Sequence, residues 1–251
     1  MKFSSLAPTI AALFAIAGPA FATTVDLTTE GSSGTIDGAL FQQTDPIPTG
    51  TGVIDSFVRV SAANQDIVQG YNTDGRPVAY DEITDPNFTR SLLISSIPIV
   101  TINGVTYYQF LLDINQTAAD PLLSLDEVEI FLEAVGNLTS PVTALGTPVY
   151  DLDASGDNFV LLNYNLNGGS GSGDMFMYLP TSLLPADTSG TPYLYLYSLF
   201  GQNDNNNDGY EEWATVQQAQ VNPVPEPGSM LLLGSGLAGL GAWRRRRRNR
   251  A

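Results

Sequence analysis

Apolar and polar residues alternate in short runs through the middle of this chain, and spacers rich in Gly, Asn, Asp and Ser separate the runs. In TYYQFLLDIN, residues 106–115, every second residue from Tyr108 to Ile114 is apolar, as in a strand with one buried side. In YLYLYSLFG, residues 193–201, tyrosines alternate with leucines in the same way. The eight runs cover residues 52–60, 91–100, 106–115, 126–135, 158–166, 174–180, 193–201 and 210–218.

No long apolar stretch with the period of an α-helix lies between these runs, so the pattern predicts an all-β fold, an antiparallel β-sandwich. One run also fits a helix. In LSLDEVEIFLEAVG, residues 123–136, Ser124 and Glu127 resemble the start of a capped helix. The β-branched residues and Phe131 favour a strand instead.

Charge divides the chain into an anionic body and two cationic ends. All 26 acidic residues but only three arginines, Arg59, Arg76 and Arg90, lie between residues 23 and 228, so this part carries a net charge of −23. Such a body repels nucleic acid and anionic lipid and favours cations as small partners. The same charge also suits the solubility of a secreted protein. Cys and His are absent, so a packed core has to stabilise the fold without disulfides.

The first 22 residues have the three parts of a secretory signal peptide. Lys2 precedes an apolar run from Leu6 to Ala17, and Ala20-Phe21-Ala22 ends the segment with small residues at the positions that signal peptidase requires. We therefore predict cleavage after Ala22, with Thr23 as the first residue of the mature protein.

The C-terminus combines a short apolar segment with a cluster of arginines. Residues 229–243 carry no charge, and six arginines lie within residues 244–250. A helix of this length covers about 22 Å, less than the hydrocarbon core of about 30 Å. It is therefore a marginal permanent anchor but an adequate temporary one. The positive-inside rule keeps the arginines in the cytoplasm, and the signal peptide requires the same orientation.

Pro225-Glu226-Pro227 directly precedes this apolar segment. The ordered trio of VPEP, an apolar helix and RRRRRNR resembles the PEP-CTERM sorting signal of Gram-negative bacteria. The resemblance implies recognition and removal of the tail by an exosortase. It implies an inner-membrane intermediate and then delivery to the cell surface or extracellular matrix. The predicted organisation is a signal peptide at 1–22, a β-sandwich ectodomain at 23–222 and a sorting signal at 223–251.

The middle of the chain is also similar to a recurrent, uncharacterised ectodomain of PEP-CTERM proteins. The similarity rests on segments such as LLDINQ, LSLDEVEIFL, GSGSGDMFMYLP and DGYEEWA, and it covers roughly residues 50–220. It implies one domain and no biochemical activity.

The segment DNNNDGYEEW offers a candidate Ca²⁺ site. Asp204, Asn206, Asp208 and Glu212 occupy positions 1, 3, 5 and 9 of a loop with a glycine at position 6. Ca²⁺ takes six to eight oxygen ligands, and this spacing suits it. Position 12 is Thr215, so the loop is not a complete EF-hand. A polar turn between strands is the alternative.

Three other segments carry weaker signals. Asp113 and Asn115 of LDIN, together with Asp151, Asp153 and Asp157 of YDLDASGDN, form a second oxygen-rich area or a set of polar turns. NGGSGSGD, residues 167–174, lacks the lysine of a phosphate-binding loop, and we interpret it as a hairpin loop.

The residue types missing from the body limit the kinds of catalytic site that it can form. Without His, Cys or Lys in the mature body, neither a Ser-His-Asp nor a Cys-His site can form. Carboxylate chemistry remains, chiefly that of a glycosidase. The adjacent pairs Asp126–Glu127 and Glu211–Glu212 would point to opposite faces of a strand, so we predict no catalytic residues and no enzyme.

These observations predict an exported surface or matrix protein with a structural or adhesive role. Its processing partners are signal peptidase and an exosortase, and extracellular polysaccharide is a candidate ligand. The alternatives are a calcium-dependent carbohydrate-binding module, by fold analogy, and, less favoured, a carboxylate glycosidase.

Overall fold

Two seven-stranded β-sheets form the body of the protein in this computed structural model, which describes residues 22–45, 54–61, 65–169 and 171–216. Sheet A contains β1 (Thr24–Asp26), β5 (Val68–Tyr71), β6 (Leu92–Leu93), β9 (Leu122–Glu133), β10 (Tyr150–Asp151), β11 (Phe159–Asn163) and β13 (Tyr193–Phe200). Sheet B contains β2 (Ser33–Ile36), β3 (Ala39–Gln43), β4 (Ile54–Ser61), β7 (Ile99–Ile102), β8 (Val105–Asp113), β12 (Met175–Pro180) and β14 (Tyr210–Val216).

In both sheets, strands that are far apart in sequence lie next to each other. Sheet A follows the order β1-β11-β9-β13-β5, with β10 beside β9 and β6 beside β13. Sheet B follows β2-β3-β12-β8-β14-β4, with β7 beside β8. The all-β prediction is confirmed. The sheets are not antiparallel throughout, because β1 pairs with β11 in parallel. These two strands lie far apart in sequence, so no tight turn fixes their relative direction.

One core cluster contains buried side chains from both sheets. The predicted apolar face of β8 belongs to it: Phe110, Leu112 and the following Ile114 are fully buried. Trp213 of β14 packs in the same cluster, and its indole Nε1 donates a hydrogen bond to the hydroxyl of Ser198 at 3.1 Å. The period-two pattern therefore places the apolar side of β8 in the interior, as predicted.

The other face of sheet A carries a second cluster, rich in tyrosine. Leu194 and Leu196 of β13 face the main core, whereas Tyr195 and Tyr197 face this second cluster. The hydroxyl of Tyr195 donates to the carbonyl oxygen of Val135 at 2.9 Å. Tyrosine suits this position because its ring is buried while its hydroxyl still finds a backbone partner.

The structure divides one predicted strand and resolves one ambiguous segment. The run at 91–100 was expected to be one strand, but it contains β6, a 3-10 turn at Ile94–Ser96 and the start of β7, which lie in different sheets. The ambiguous segment 123–136 falls mostly in β9, which pairs with both β11 and β13. Backbone pairing on both sides therefore favours the strand over the helix.

The predicted signal peptide up to Phe21 and the predicted sorting segments at 225–227, 229–243 and 244–250 lie outside the described residues. Within the described ranges, no helix has the length and apolar character needed to cross a bilayer. The chain divides into one unit that ends at Val216 and another from Gln217 to Ala251. The predicted boundary at 222/223 stays a prediction.

Gly201, directly after β13, provides a test of this fold. Its φ is +94°, and a Cβ added there would overlap the carbonyl oxygen of Asp66. We expect Gly201→Ala to lower the free energy of unfolding by about 2–4 kcal/mol, from backbone strain and overpacking together. Urea unfolding measures this loss. Gly190→Ala is the matched control, because nothing lies within 4 Å of its added Cβ, and equal losses in both variants would contradict the structure.

Candidate functional site

The predicted Ca²⁺ loop runs from Asp204 to Glu212 and ends within β14. The connection from β13 to β14, the 201–209 loop, contains its first six residues. Two residues of β9 hold one side of it. The hydroxyl of Ser124 accepts a hydrogen bond from the N–H of Asn203 at 3.0 Å. The carboxylate of Asp126 accepts the N–H of Gln202 at 2.7 Å and the side-chain amide of Asn203 at 2.8 Å. This side of the loop is therefore fixed to sheet A.

The chain that follows β8 holds the other side of the loop. Gln116 accepts the N–H of Asn207 at 3.0 Å and donates its own side-chain amide to Asn206 Oδ1 at 3.0 Å. The side chain of Asn207 accepts the N–H of Thr117 at 2.8 Å and donates to the carbonyl oxygen of Asp120 at 2.8 Å. The predicted loop thus meets the segment that contains the LDIN motif.

The four side chains predicted to bind Ca²⁺ lie in different surroundings. Asn206 is buried, Asp204 is half-buried and Asp208 is exposed. Glu212 lies on β14 and forms an ion pair with Arg59. The loop therefore presents its oxygens in more than one direction.

Within the described ranges, no three Asp, Glu, His or Cys side chains are grouped so that they could hold one metal ion. Ca²⁺ needs six to eight oxygens. An ion in the 201–209 loop would therefore take most of its ligands from amide, backbone carbonyl and water oxygens. The Ca²⁺ site at Asp204, Asn206, Asp208 and Glu212 stays a prediction.

Three buried carboxyl groups lie behind this loop: Asp113 at the end of β8, Asp174 just before β12, and Glu211 in β14. Asp113 accepts the backbone N–H groups of Gly171 and Gly173, at 2.7 and 3.2 Å. The glycine-rich hairpin loop is thereby held against the end of β8.

Asp174 and Glu211 contact the next two residues of the same segment. Asp174 Oδ2 accepts the N–H of Ile114 at 2.8 Å, and Glu211 Oε2 accepts the N–H of Asn115 at 3.1 Å. Three carboxyl groups thus converge on the short stretch that begins at Asp113. We call Asp113, Asp174 and Glu211 the buried carboxyl group cluster.

Burial raises the pKa of all three groups. The pKa of Asp174 rises to about 8 and that of Asp113 to about 6, and that of Glu211 rises well above its usual range. The negative charges of neighbouring carboxylates raise these values further, while hydrogen bonds from backbone N–H groups oppose the shift. At neutral pH a pKa of about 8 keeps the proton on Asp174, and the raised pKa of Glu211 favours its neutral form.

Two buried polar atoms of the described residues have no hydrogen-bond partner: Oδ1 of Asp174 and Nδ2 of Asn206. Gln116 connects the two regions, since its amide donates both to Asn206 and, at 3.3 Å, to Glu211 Oε1. An ionised oxygen without a partner in such a site costs several kcal/mol. The raised pKa of Asp174 reduces this cost, because it favours the neutral carboxyl.

The arginines of the described residues are engaged elsewhere. Arg59 pairs with Glu212 and Arg90 pairs with Asp55. Arg76 donates to backbone carbonyl oxygens, including that of Thr89 at 2.8 Å. The buried carboxyl group cluster consequently depends on protons and backbone N–H groups for its neutralisation.

The second oxygen-rich area of the sequence divides between the two sheets. LDIN lies at the end of β8 in sheet B, whereas Asp151 belongs to β10 in sheet A and is directly opposite Glu129. Burial first, and then the charges of Glu127, Asp151 and Asp153, raise the pKa of Glu129 to about 7. The two halves of the predicted area do not form one site.

The adjacent carboxylates also separate, as expected for strand neighbours. Glu211 is buried behind the loop, and Glu212 pairs with Arg59. Asp126 is buried against the 201–209 loop, whereas Glu127 is half-buried. Neither pair has the common direction that two carboxylates need in order to act on one glycosidic bond.

A cleft of about 230 Å³ lies beside β3 and β12. Phe176 and Tyr178 line it, with ring centroids 5.6 Å apart and planes tilted by 39°. Gln42 and Gln43 line it as well, and Gln43 is fixed by the N–H of Gly31, which donates to its Oε1 at 2.7 Å. Aromatic faces beside amide groups are typical of sites that orient small polar ligands.

The sequence did not indicate Asp174 or Gln116, and it offered Glu211 only as half of the adjacent pair Glu211–Glu212. One signal was available for Glu211: at a period of two it shares the inward face of β14 with Trp213. Asp174 and Gln116 lie in loops, where periodicity carries no information about direction.

Comparison with known proteins concerns the C-terminus. Residues 223–247 match the family model of the PEP-CTERM protein-sorting motif. The resemblance of this tail is thereby confirmed, and the PEP-CTERM motif marks an exported protein that is held through its C-terminus before an exosortase processes it. No curated protein and no solved structure matches the chain.

The buried carboxyl group cluster predicts an unusual dependence of stability on pH. The pKa of Asp174 is about 8 in the folded state against 3.8 for the free group. Between these values the native carboxyl keeps a proton that the unfolded chain releases, so the free energy of unfolding falls as pH rises and levels off above about pH 8. Asp174→Asn should remove a fall on the order of a few kcal/mol, measured by urea unfolding at about pH 5 and about pH 8.5.

Asp187→Asn is the matched control for this measurement. Asp187 is exposed, and hydrogen bonds from Ser189 lower its pKa. This variant should therefore keep the wild-type decline between the two pH values. A wild-type decline in Asp174→Asn as well would show that Asp174 is not protonated in the fold.

Proposed function

We propose that this is an exported protein of a Gram-negative bacterium that functions at the cell surface or in the extracellular polysaccharide matrix, with a structural or adhesive role. The match of residues 223–247 to the PEP-CTERM sorting motif carries the proposal. An exosortase recognises the tail, removes it and releases the β-rich body outside the inner membrane.

The lengths and charges of the two ends support this route. The apolar segment 229–243 is short for a lasting anchor, and the arginines at 244–250 hold it in the membrane with the body outside. A glutamate between two prolines, Pro225-Glu226-Pro227, stays extended and accessible to a protease.

The composition of the body suits an extracellular protein. It has no Cys that could be oxidised, and its excess of acidic residues keeps it soluble. We propose no catalytic step, because the mature body lacks His, Cys and Lys. A surface or matrix role needs none of these groups.

Tail processing should depend on both the exosortase and Glu226. In a host with an exosortase, intact-mass measurement should show loss of the tail, and Glu226→Ala should leave the full-length chain in the inner membrane. The reason is that this carboxylate is the charged group of the recognition motif. Glu30→Ala, which changes an exposed glutamate of the body, should be processed normally. Unchanged processing of Glu226→Ala would contradict the proposal.

A second candidate function is calcium-dependent carbohydrate binding, and the cleft at Phe176 and Tyr178 favours it. Aromatic rings stack on the C–H faces of sugars, while the amide group of Gln42 suits sugar hydroxyls. In this proposal the 201–209 loop binds Ca²⁺ with Asp208 among its ligands. Such binding would give the adhesive role a chemical basis.

Binding of extracellular polysaccharide to residues 23–222 tests this second candidate. Phe176→Ala should weaken binding about tenfold, which corresponds to about 1.4 kcal/mol, because the stacking surface is lost. Removal of Ca²⁺ with EDTA and Asp208→Ala should each weaken binding. Tyr210→Ala, a change at an exposed aromatic outside the cleft, should have no effect. Equal affinity of all variants would exclude a binding site in the cleft.

A further inference from the structure

The first strand of the body begins at a buried asparagine. Thr23 immediately precedes β1, and its backbone nitrogen donates a hydrogen bond to Asn158 Oδ1 at 2.7 Å. Its carbonyl oxygen accepts the N–H of Phe159 at 3.2 Å. Thr23 is thus the first residue whose backbone is joined to sheet A on both sides.

The side chain of Asn158 is completely buried and its orientation is fixed. Its Nδ2 donates to the carbonyl oxygen of Leu152 at 2.6 Å. A carbonyl oxygen only accepts, so Nδ2 has to face Leu152 and Oδ1 has to face Thr23. The backbone N–H of Asn158 in turn donates to Asp153 Oδ1 at 2.8 Å. Asn158 therefore offers Thr23 an acceptor that is already in place.

Two carboxylates contact Asn158 itself. Asp37 Oδ2 lies 3.5 Å from Asn158 Nδ2 and accepts the hydroxyl of Ser155 at 3.0 Å. Asp153 contacts the backbone of Asn158, and Asp157 is its neighbour in sequence. These acidic neighbours favour a positive charge near Asn158. The arginines of the described residues do not supply it, because they pair or donate elsewhere.

We propose that the α-ammonium group that signal-peptide cleavage creates at Thr23 binds to Asn158 and becomes a structural cation of the mature protein. The proposal rests on the export proposed above. Water hydrolyses the Ala22–Thr23 amide: the C–N bond breaks, hydroxyl goes to the Ala22 carboxyl, and the released amine takes up a proton. The neutral hydrogen bond at Asn158 becomes a charge-assisted one, which is about twice as strong.

The sequence allows this charge to be removed without any mutation. Lys2 is the only lysine of the chain, so in a protein that begins at Thr23 the α-amino group is the one primary amine. Acetylation removes its charge and leaves an N–H that still donates. Reductive dimethylation keeps the charge, one N–H and a similar size. The two modified proteins therefore differ in charge at the same atom.

The experiment compares thermal unfolding of residues 23–222 with a free, a dimethylated and an acetylated Thr23. This range contains the whole body up to Val216, where the first compact unit ends. A protease that cuts a fusion directly before Thr23 supplies the free form. Acetylation should lower the melting temperature by about 2–4 °C, and dimethylation should preserve most of the original value. In Asn158→Ala the difference between the free and acetylated forms should vanish.

Equal melting temperatures for the free and acetylated forms would overturn the proposal, and this comparison stands even if Asn158→Ala does not fold. An acetylation effect that persists in a folded Asn158→Ala protein would assign it to the general charge of the body and would also overturn it. N-terminal sequencing of the exported protein should give Thr23. Another first residue would overturn the proposal and leave sorting by the C-terminal tail untouched.

Discussion

Carboxylates that accept backbone N–H groups join the loops of this protein to its sheets. Asp113 holds the 171–173 turn, and Asp126 holds the start of the 201–209 loop. Glu82 accepts the N–H groups of Tyr71 and Tyr80, at 3.0 and 2.8 Å. A chain without cysteines and with three arginines in its body has few other means of fixing loops. Its acidic composition therefore contributes directly to the architecture as well as to solubility.

This use of carboxylates limits where charge can reside. Hydrogen bonds from backbone N–H groups favour the ionised form of a carboxylate, whereas burial favours the neutral form. Burial outweighs the hydrogen bonds at Asp113, Asp174 and Glu211, so the pKa of each is raised, and that of Asp174 rises to about 8. Separate loops thus meet at a point where Asp174 is neutral only while it is protonated. The fold gains a connected interior at this end and is weakened there by alkaline conditions.

Periodicity predicted the sheets well because successive side chains of β8 and β13 point to opposite faces of a sheet, so every second residue shares one environment. It failed at 91–100, because a run of apolar residues does not reveal that Leu92 and Ile99 enter different sheets. The predicted loop at 204–212 covers the end of the β13–β14 connection and the start of β14, and its side chains diverge. Their directions depend on partners such as Gln116 and Ser124, which are far away in sequence. Local spacing carries no information about such partners.

Processing removes cations at both ends of the chain. Removal of the tail takes away six arginines, and cleavage before Thr23 takes away Lys2 and the first α-amino group but creates one new ammonium group on a body with three arginines. One added cation would be minor in a lysine-rich protein. In this body it is a quarter of all positive charge, and the structure places its nitrogen 2.7 Å from a buried acceptor beside Asp37 and Asp153. A charge-assisted hydrogen bond to such a buried acceptor is screened little by salt. Processing at the first end thus places one of the few remaining cations of the body at a defined point of sheet A.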